Sequence, residues 1–149
     1  MLQGLQHVNL TVGHTPDSLE LADAFYGDVL GLKADPVPPS MVGYLRWFRL
    51  GDNTGQQIHI SLERNPATLA NRSLTQFHPC FVLPFTQLTA LRKKLNAFAV
   101  SGHAAACSEV ADDGGFDAPN EGEVFDGAKK GDRFFVRDFC GNRLEFSGI

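Results

Sequence analysis

An internal repeat constrains this chain more than any other feature. His7-Val8-Asn9-Leu10-Thr11-Val12 answers to His78-Pro79-Cys80-Phe81-Val82-Leu83, and residues 47–61 answer to 133–147 without a gap. Each half reads in one order: strand, helix, weaker strand, hairpin. In that register Ile58-His59-Ile60 falls on Leu144-Glu145-Phe146. The first half therefore opens and closes on a histidine, and the second opens on a histidine and closes on a glutamate. The spacing grows from 71 residues (78 minus 7) to 86 (145 minus 59), and the Asp-, Gly- and Glu-rich stretch 111–131 absorbs the difference as a long surface loop.

Local signals place each half's elements. Residues 5–12 alternate, with His7, Asn9 and Thr11 on one face and Val8, Leu10 and Val12 on the other, which predicts a strand. Thr15-Pro16-Asp17 reads as an N-cap, a first-turn proline and a first-turn acid; Ala22, Phe25, Tyr26 and Val29 follow at helical spacing, and Gly31 ends the helix. Residues 42–50 and 57–62 predict a hairpin about the Gly51-Asp52-Asn53-Thr54-Gly55 turn. The polar stretch 64–75, which contains Pro66, reads as a linker between a first unit at 1–63 and a second at 76–149. There, 77–83 predicts a strand, 86–97 a helix with Leu88, Leu91 and Leu95 on its buried stripe, 103–110 a weak strand, and 133–138 with 142–147 a last hairpin. The expected class is α+β, a single domain of two βαβββ units.

The repeat gives four polar residues a chemical meaning. His7, His59, His78 and Glu145 each sit on an alternating strand at equivalent places in the two units, with apolar neighbours directed to the opposite face. A carboxylate between Leu144 and Phe146 that faced the interior would be costly without a proton, a cationic partner or a metal. Imidazole with carboxylate suits Fe²⁺, Mn²⁺, Ni²⁺, Co²⁺ or Zn²⁺ and leaves coordination positions open for water or substrate. Glu145 and His59 are the candidates for moving a proton. Arg46, Arg49 and Arg137 are candidate contacts for an anionic substrate group, and Cys80, on the His78 face, reads as a small buried hydrophobe.

Composition excludes several classes. A net charge of −4 leaves no basic footprint for nucleic acid. No apolar run approaches the ~20 residues of a membrane span, and the start lacks a signal-peptide pattern, so a cytoplasmic protein is expected. Three cysteines, none in C-x-x-C spacing, argue against a disulfide framework or a structural zinc site.

Three segments carry a family resemblance: Leu5-Gln6-His7-Val8-Asn9-Leu10, Phe25-Tyr26-Gly27-Asp28-Val29-Leu30-Gly31-Leu32, and Phe135-Val136-Arg137-Asp138-Phe139-Cys140-Gly141-Asn142-Arg143-Leu144-Glu145-Phe146. Together they resemble the vicinal oxygen chelate superfamily, which includes glyoxalase I, bleomycin-resistance proteins, fosfomycin-resistance enzymes, extradiol dioxygenases and methylmalonyl-CoA epimerase. The resemblance implies paired βαβββ units whose curled mixed sheets form a cleft around one divalent metal. It implies ligands at the positions of His7, His59, His78 and Glu145, a small-molecule substrate and, at this length, a homodimer. A glyoxalase pattern has a glutamate where this chain has His59, whereas the dioxygenase and fosfomycin-resistance patterns need only His7, His78 and Glu145. The reaction expected is lyase, isomerase or dioxygenase chemistry. The alternative is a non-catalytic small-molecule or drug binder of the bleomycin-resistance type.

Overall fold

The computed structural model describes residues 1, 3–111 and 133–149. The first half folds as β1 (His7–Val12), α1 (Asp17–Ala22, continued as a wider π turn over Asp23–Val29), β2 (Lys33–Asp35), β3 (Leu45–Leu50) and β4 (Gln56–Leu62). Its four strands form a sheet in the order β1-β4-β3-β2, with β1 parallel to β4 and the other pairs antiparallel. The helix ends where expected, at Gly31 with φ +74°, a value that costs a residue without a Cβ little. Thr15 contributes differently from the expected side-chain cap. Its carbonyl, not its hydroxyl, accepts from the Ser18 N–H.

The second half gives β5 (Cys80–Leu83), α3 (Phe85–Ala99), β6 (Arg133–Arg137) and β7 (Arg143–Gly148) in a three-stranded sheet, β5-β7-β6, with β5 parallel to β7. Residues 103–110, predicted as a strand, form none. Ser108 instead donates its N–H to the Arg137 carbonyl, and Ala111 exchanges two backbone bonds with Phe135 in one isolated bridge. The loop expected at 111–131 lies outside the described residues apart from Ala111.

Between the halves, the polar stretch 64–75 carries α2 (Pro66–Asn71) and a 3₁₀ turn (Arg72–Leu74). Pro66 starts the helix rather than interrupting it. Asn65 caps it, accepting from Ala67 N–H at 3.0 Å, and the first helical position has no N–H to lose.

The ungapped hairpin correspondence does not survive. Trp47 pairs with His59, but Phe135 pairs with Glu145, so the counterpart of Trp47 is Phe135 rather than Arg133. The second hairpin is two residues shorter between these positions, a shift that keeps every side chain on its face because strand alternation has period two.

The apolar faces of both sheets and the stripes of α1 and α3 share one core: Leu10, Val12, Phe25, Tyr26, Phe48, Ile58 and Ile60 meet Leu88, Leu95, Phe134, Val136, Leu144 and Phe146. A buried polar seam ties the halves. Asp138 accepts from the Tyr26 hydroxyl and the Asn142 amide, both at 2.7 Å, and from the Cys140 and Asn142 N–H groups at 2.9 Å. Asn142 also donates to the Thr11 carbonyl, as does buried Arg72, which pairs with Glu63 at 2.9 Å. Among the described residues no helix is long and apolar enough to cross a membrane.

Candidate functional site

The core packs against one face of each sheet, and the candidate residues stand on the other. On the first sheet, Asn9, His59 and Trp47 stand in one row across β1, β4 and β3, with His7, Gln57 and Arg49 in the next. On the second, Cys80, Glu145 and Phe135 form the equivalent row across β5, β7 and β6. His78 sits just before β5, as His7 opens β1.

Within one chain the four predicted ligands separate into two pairs. His78 and Glu145 come together, Nε2 to Oε2, at 3.0 Å. His7 and His59 stack with ring centroids 4.0 Å apart and planes 12° from parallel. Among the described residues, no group of three His, Cys, Asp or Glu side chains gathers closely enough to hold an ion.

The His78–Glu145 pair has a proton inventory that points to a cation. His78 Nδ1 lies 2.7 Å from the backbone carbonyl of Gln76, a group that only accepts, so Nδ1 carries a hydrogen. Nε2 is then the nitrogen that His78 turns to a carboxylate oxygen. Two acceptors at 3.0 Å need a proton or a metal ion between them. A histidine whose second nitrogen is fixed by a backbone carbonyl is the usual second-sphere arrangement of a metal ligand. The donor set therefore fits a divalent transition metal. Glu145 is buried, with Arg133 Nη1 3.6 Å from its other oxygen and the Cys80 thiol beside it.

Cys80 differs from its expected burial. The residue is exposed, yet its thiol is pushed up to about 11, first by local desolvation and then by the Glu145 charge. His59 is lowered from its ordinary value by burial and by the neighbouring His7. It lies between two rings, His7 on one side and Trp47 on the other at 4.8 Å and 19°. Trp47 Nε1 is buried without a hydrogen-bond partner among the described residues.

The three arginines expected to hold an anion are committed elsewhere. Arg46 pairs with Asp23 at 3.0 Å, Arg49 pairs with Asp35, and Arg137 donates to the carbonyls of Gly141 (2.9 Å) and Thr75 (3.0 Å). Sequence reasoning missed Trp47, Gln57 and Gln76, which contact the imidazoles, and Asp35, which accepts from Gln57. The parity of Gln57 with His59 on β4 was the one available signal.

No family model matches the chain, and no curated protein sequence does. Solved structures do. A glyoxalase family protein from Bacillus anthracis is 27% identical, with 98% of this chain and 94% of that one covered at a TM-score of 0.62. The fosfomycin resistance protein FosX from Listeria monocytogenes, complexed with Mn(II) and sulfate, is 15% identical over 99% and 91%, TM-score 0.60. Lactoylglutathione lyase from Agrobacterium tumefaciens is 18% identical over 99% and 94%, TM-score 0.57.

Proposed function

We infer that this chain, which has the vicinal oxygen chelate fold of the glyoxalase and fosfomycin resistance proteins, is a divalent-metal-dependent enzyme acting on a small oxygenated substrate. The observation that carries the reading is His78 Nε2 standing 3.0 Å from Glu145 Oε2 with Nδ1 already spent on Gln76. His78, Glu145 and His7 would hold the ion, and His59 stands beside His7. When bound, such an ion supplies Lewis-acid polarisation of vicinal substrate oxygens.

The two pairs sit on different sheets, which supports a site completed between two chains. In that arrangement the open face of the first sheet closes on the partner's second sheet, each curled sheet forming half of the cleft. Exposed Phe77 and Val82 flank His78 and Cys80, an apolar rim such a closure would bury. Arg133 Nη1 lies 3.6 Å from the second Glu145 oxygen, and the carboxylate is a group that can coordinate or take up a proton. His59, whose pKa is lowered by burial and then by His7, is the second group able to accept a proton.

A second reading has its own observation. A cavity of about 420 Å³ opens at the seam between the halves, lined by Leu32, Leu50, Ile58, Phe81, Leu83 and Phe146. Its size and apolar walls suit a non-catalytic binder of a small hydrophobic molecule.

Metal content separates the two. The chain, purified without a polyhistidine tag or chelator, should carry about one transition metal per subunit by elemental analysis, and Glu145→Ala should lose it. Absence of metal after reconstitution with Fe²⁺, Mn²⁺, Ni²⁺, Co²⁺ and Zn²⁺ would leave the binder as the better account.

A further inference from the structure

His59 differs from His78 in which nitrogen is occupied, and the difference is forced by a chain of side chains behind it. Arg49 pairs with Asp35, and that contact holds the carboxyl below its usual range, as an acceptor-only group. Gln57 places its amide nitrogen 2.7 Å from Asp35 Oδ2. No other orientation of that amide makes a hydrogen bond there, because its oxygen would meet a carboxylate. The Gln57 oxygen is therefore the atom 2.9 Å from His59 Nε2, and an acceptor at that distance requires Nε2 to carry the hydrogen.

We propose that the Arg49–Asp35–Gln57 chain fixes His59 as its Nε2–H tautomer, so that Nδ1 is the lone-pair nitrogen His59 offers to the shared site. His78 is held differently, with an acceptor on each side: the Gln76 carbonyl at Nδ1 and the Glu145 carboxylate at Nε2. The stacked rings of His7 and Trp47 add a second restraint, since flipping the His59 imidazole means sliding it between two planes. Gln57 and Asp35 are positioning residues: they act on chemistry through the nitrogen His59 exposes. His59 then serves as a proton-accepting group beside the ion rather than as an Nε2 ligand. That role rests on the metal-site reading; the tautomer does not.

The test is long-range ¹H–¹⁵N correlation of the histidine rings in metal-free protein at about pH 8, above the ordinary histidine range. The His59 signals are identified by their loss in His59→Gln. Nε2 of His59 should show a pyrrole-type shift and Nδ1 a pyridine-type shift. Gln57→Leu should reduce the Nε2–H preference about tenfold, the scale of one hydrogen bond. Asp35→Asn, whose amide can offer either end to Gln57, should weaken it and serves should Gln57→Leu fail to fold. A wild-type His59 protonated on Nδ1, or a Gln57→Leu spectrum unchanged at His59, would overturn the proposal. Neither result depends on whether the protein binds metal, so failure of the metal reading is seen separately in the elemental analysis.

Discussion

Removing the Asp138 carboxylate is expected to be among the most damaging single changes away from the site. Asp138, Tyr26 and Asn142 are all buried. Asp138→Ala strips four donors of their acceptor: the Tyr26 hydroxyl, the Asn142 amide, and the N–H groups of Cys140 and Asn142. Each buried unsatisfied donor costs about 1–3 kcal/mol, which for four sums to about 4–12 kcal/mol, comparable to the whole stability of a domain. Two effects reduce the total. Burial raises the Asp138 pKa, so deleting the group returns part of its desolvation cost, and water can enter the space it leaves. The net loss should be about 3–5 kcal/mol, the range for breaking a buried charged network, out of a total stability of ~5–15 kcal/mol. Urea denaturation reads it as a lower midpoint with an unchanged slope. A double-mutant cycle with Tyr26→Phe should show coupling of at least ~1 kcal/mol, because both changes remove one shared bond. A loss under ~1 kcal/mol, or no coupling, would refute the view that this seam locks the two halves together.

Other consequences follow from single groups. His59 has a folded-state pKa below 6.5, so the unfolded chain binds more protons just beneath that pH and stability falls as pH drops through the window; denaturation midpoints between about pH 7.5 and 5 should show this, with a shallower slope in His59→Gln. Asn65→Ala should cost about 1 kcal/mol by loss of the α2 cap, visible as a small midpoint shift with metal content unchanged. Cys80 should alkylate about 100-fold more slowly at pH 8 than an unperturbed thiol despite its exposure, because its pKa is pushed up to about 11; Glu145→Gln should speed it, as followed by peptide mass mapping.

Much of the fold was legible because its signals are local. Alternation in 5–12 and in 57–62 gave two strands and put His7 and His59 on the same side of their sheet, as the parallel β1–β4 register then showed. The helical stripe Ala22, Phe25, Tyr26 and Val29 is buried as expected. What failed depends on distant parts of the chain. Pro66 breaks or begins a helix according to whether the residue before it can cap, and Asn65 does. The two-residue shift in the second hairpin leaves the face pattern untouched, so periodicity could not reveal it. Among the described residues, 103–110 bond to β6 at Ser108 alone rather than along a ladder. At the site, residue types indicated imidazole and carboxylate chemistry, but not that His78 meets Glu145 while His7 meets His59. Nor did they indicate the roles of Gln76 and Gln57, which come from single hydrogen bonds to each ring.

The central claim is that one site draws on two chains, and complementation tests it most directly. His7→Ala and Glu145→Ala chains would be co-expressed, and bound metal measured in the mixture and in each variant alone. A site shared between subunits leaves each variant dimer without an intact set, while the mixed dimer regains one of its two. The mixture should recover about a quarter of the wild-type metal content, the share set by random pairing. Recovery no greater than in either variant alone would contradict a site shared in this way.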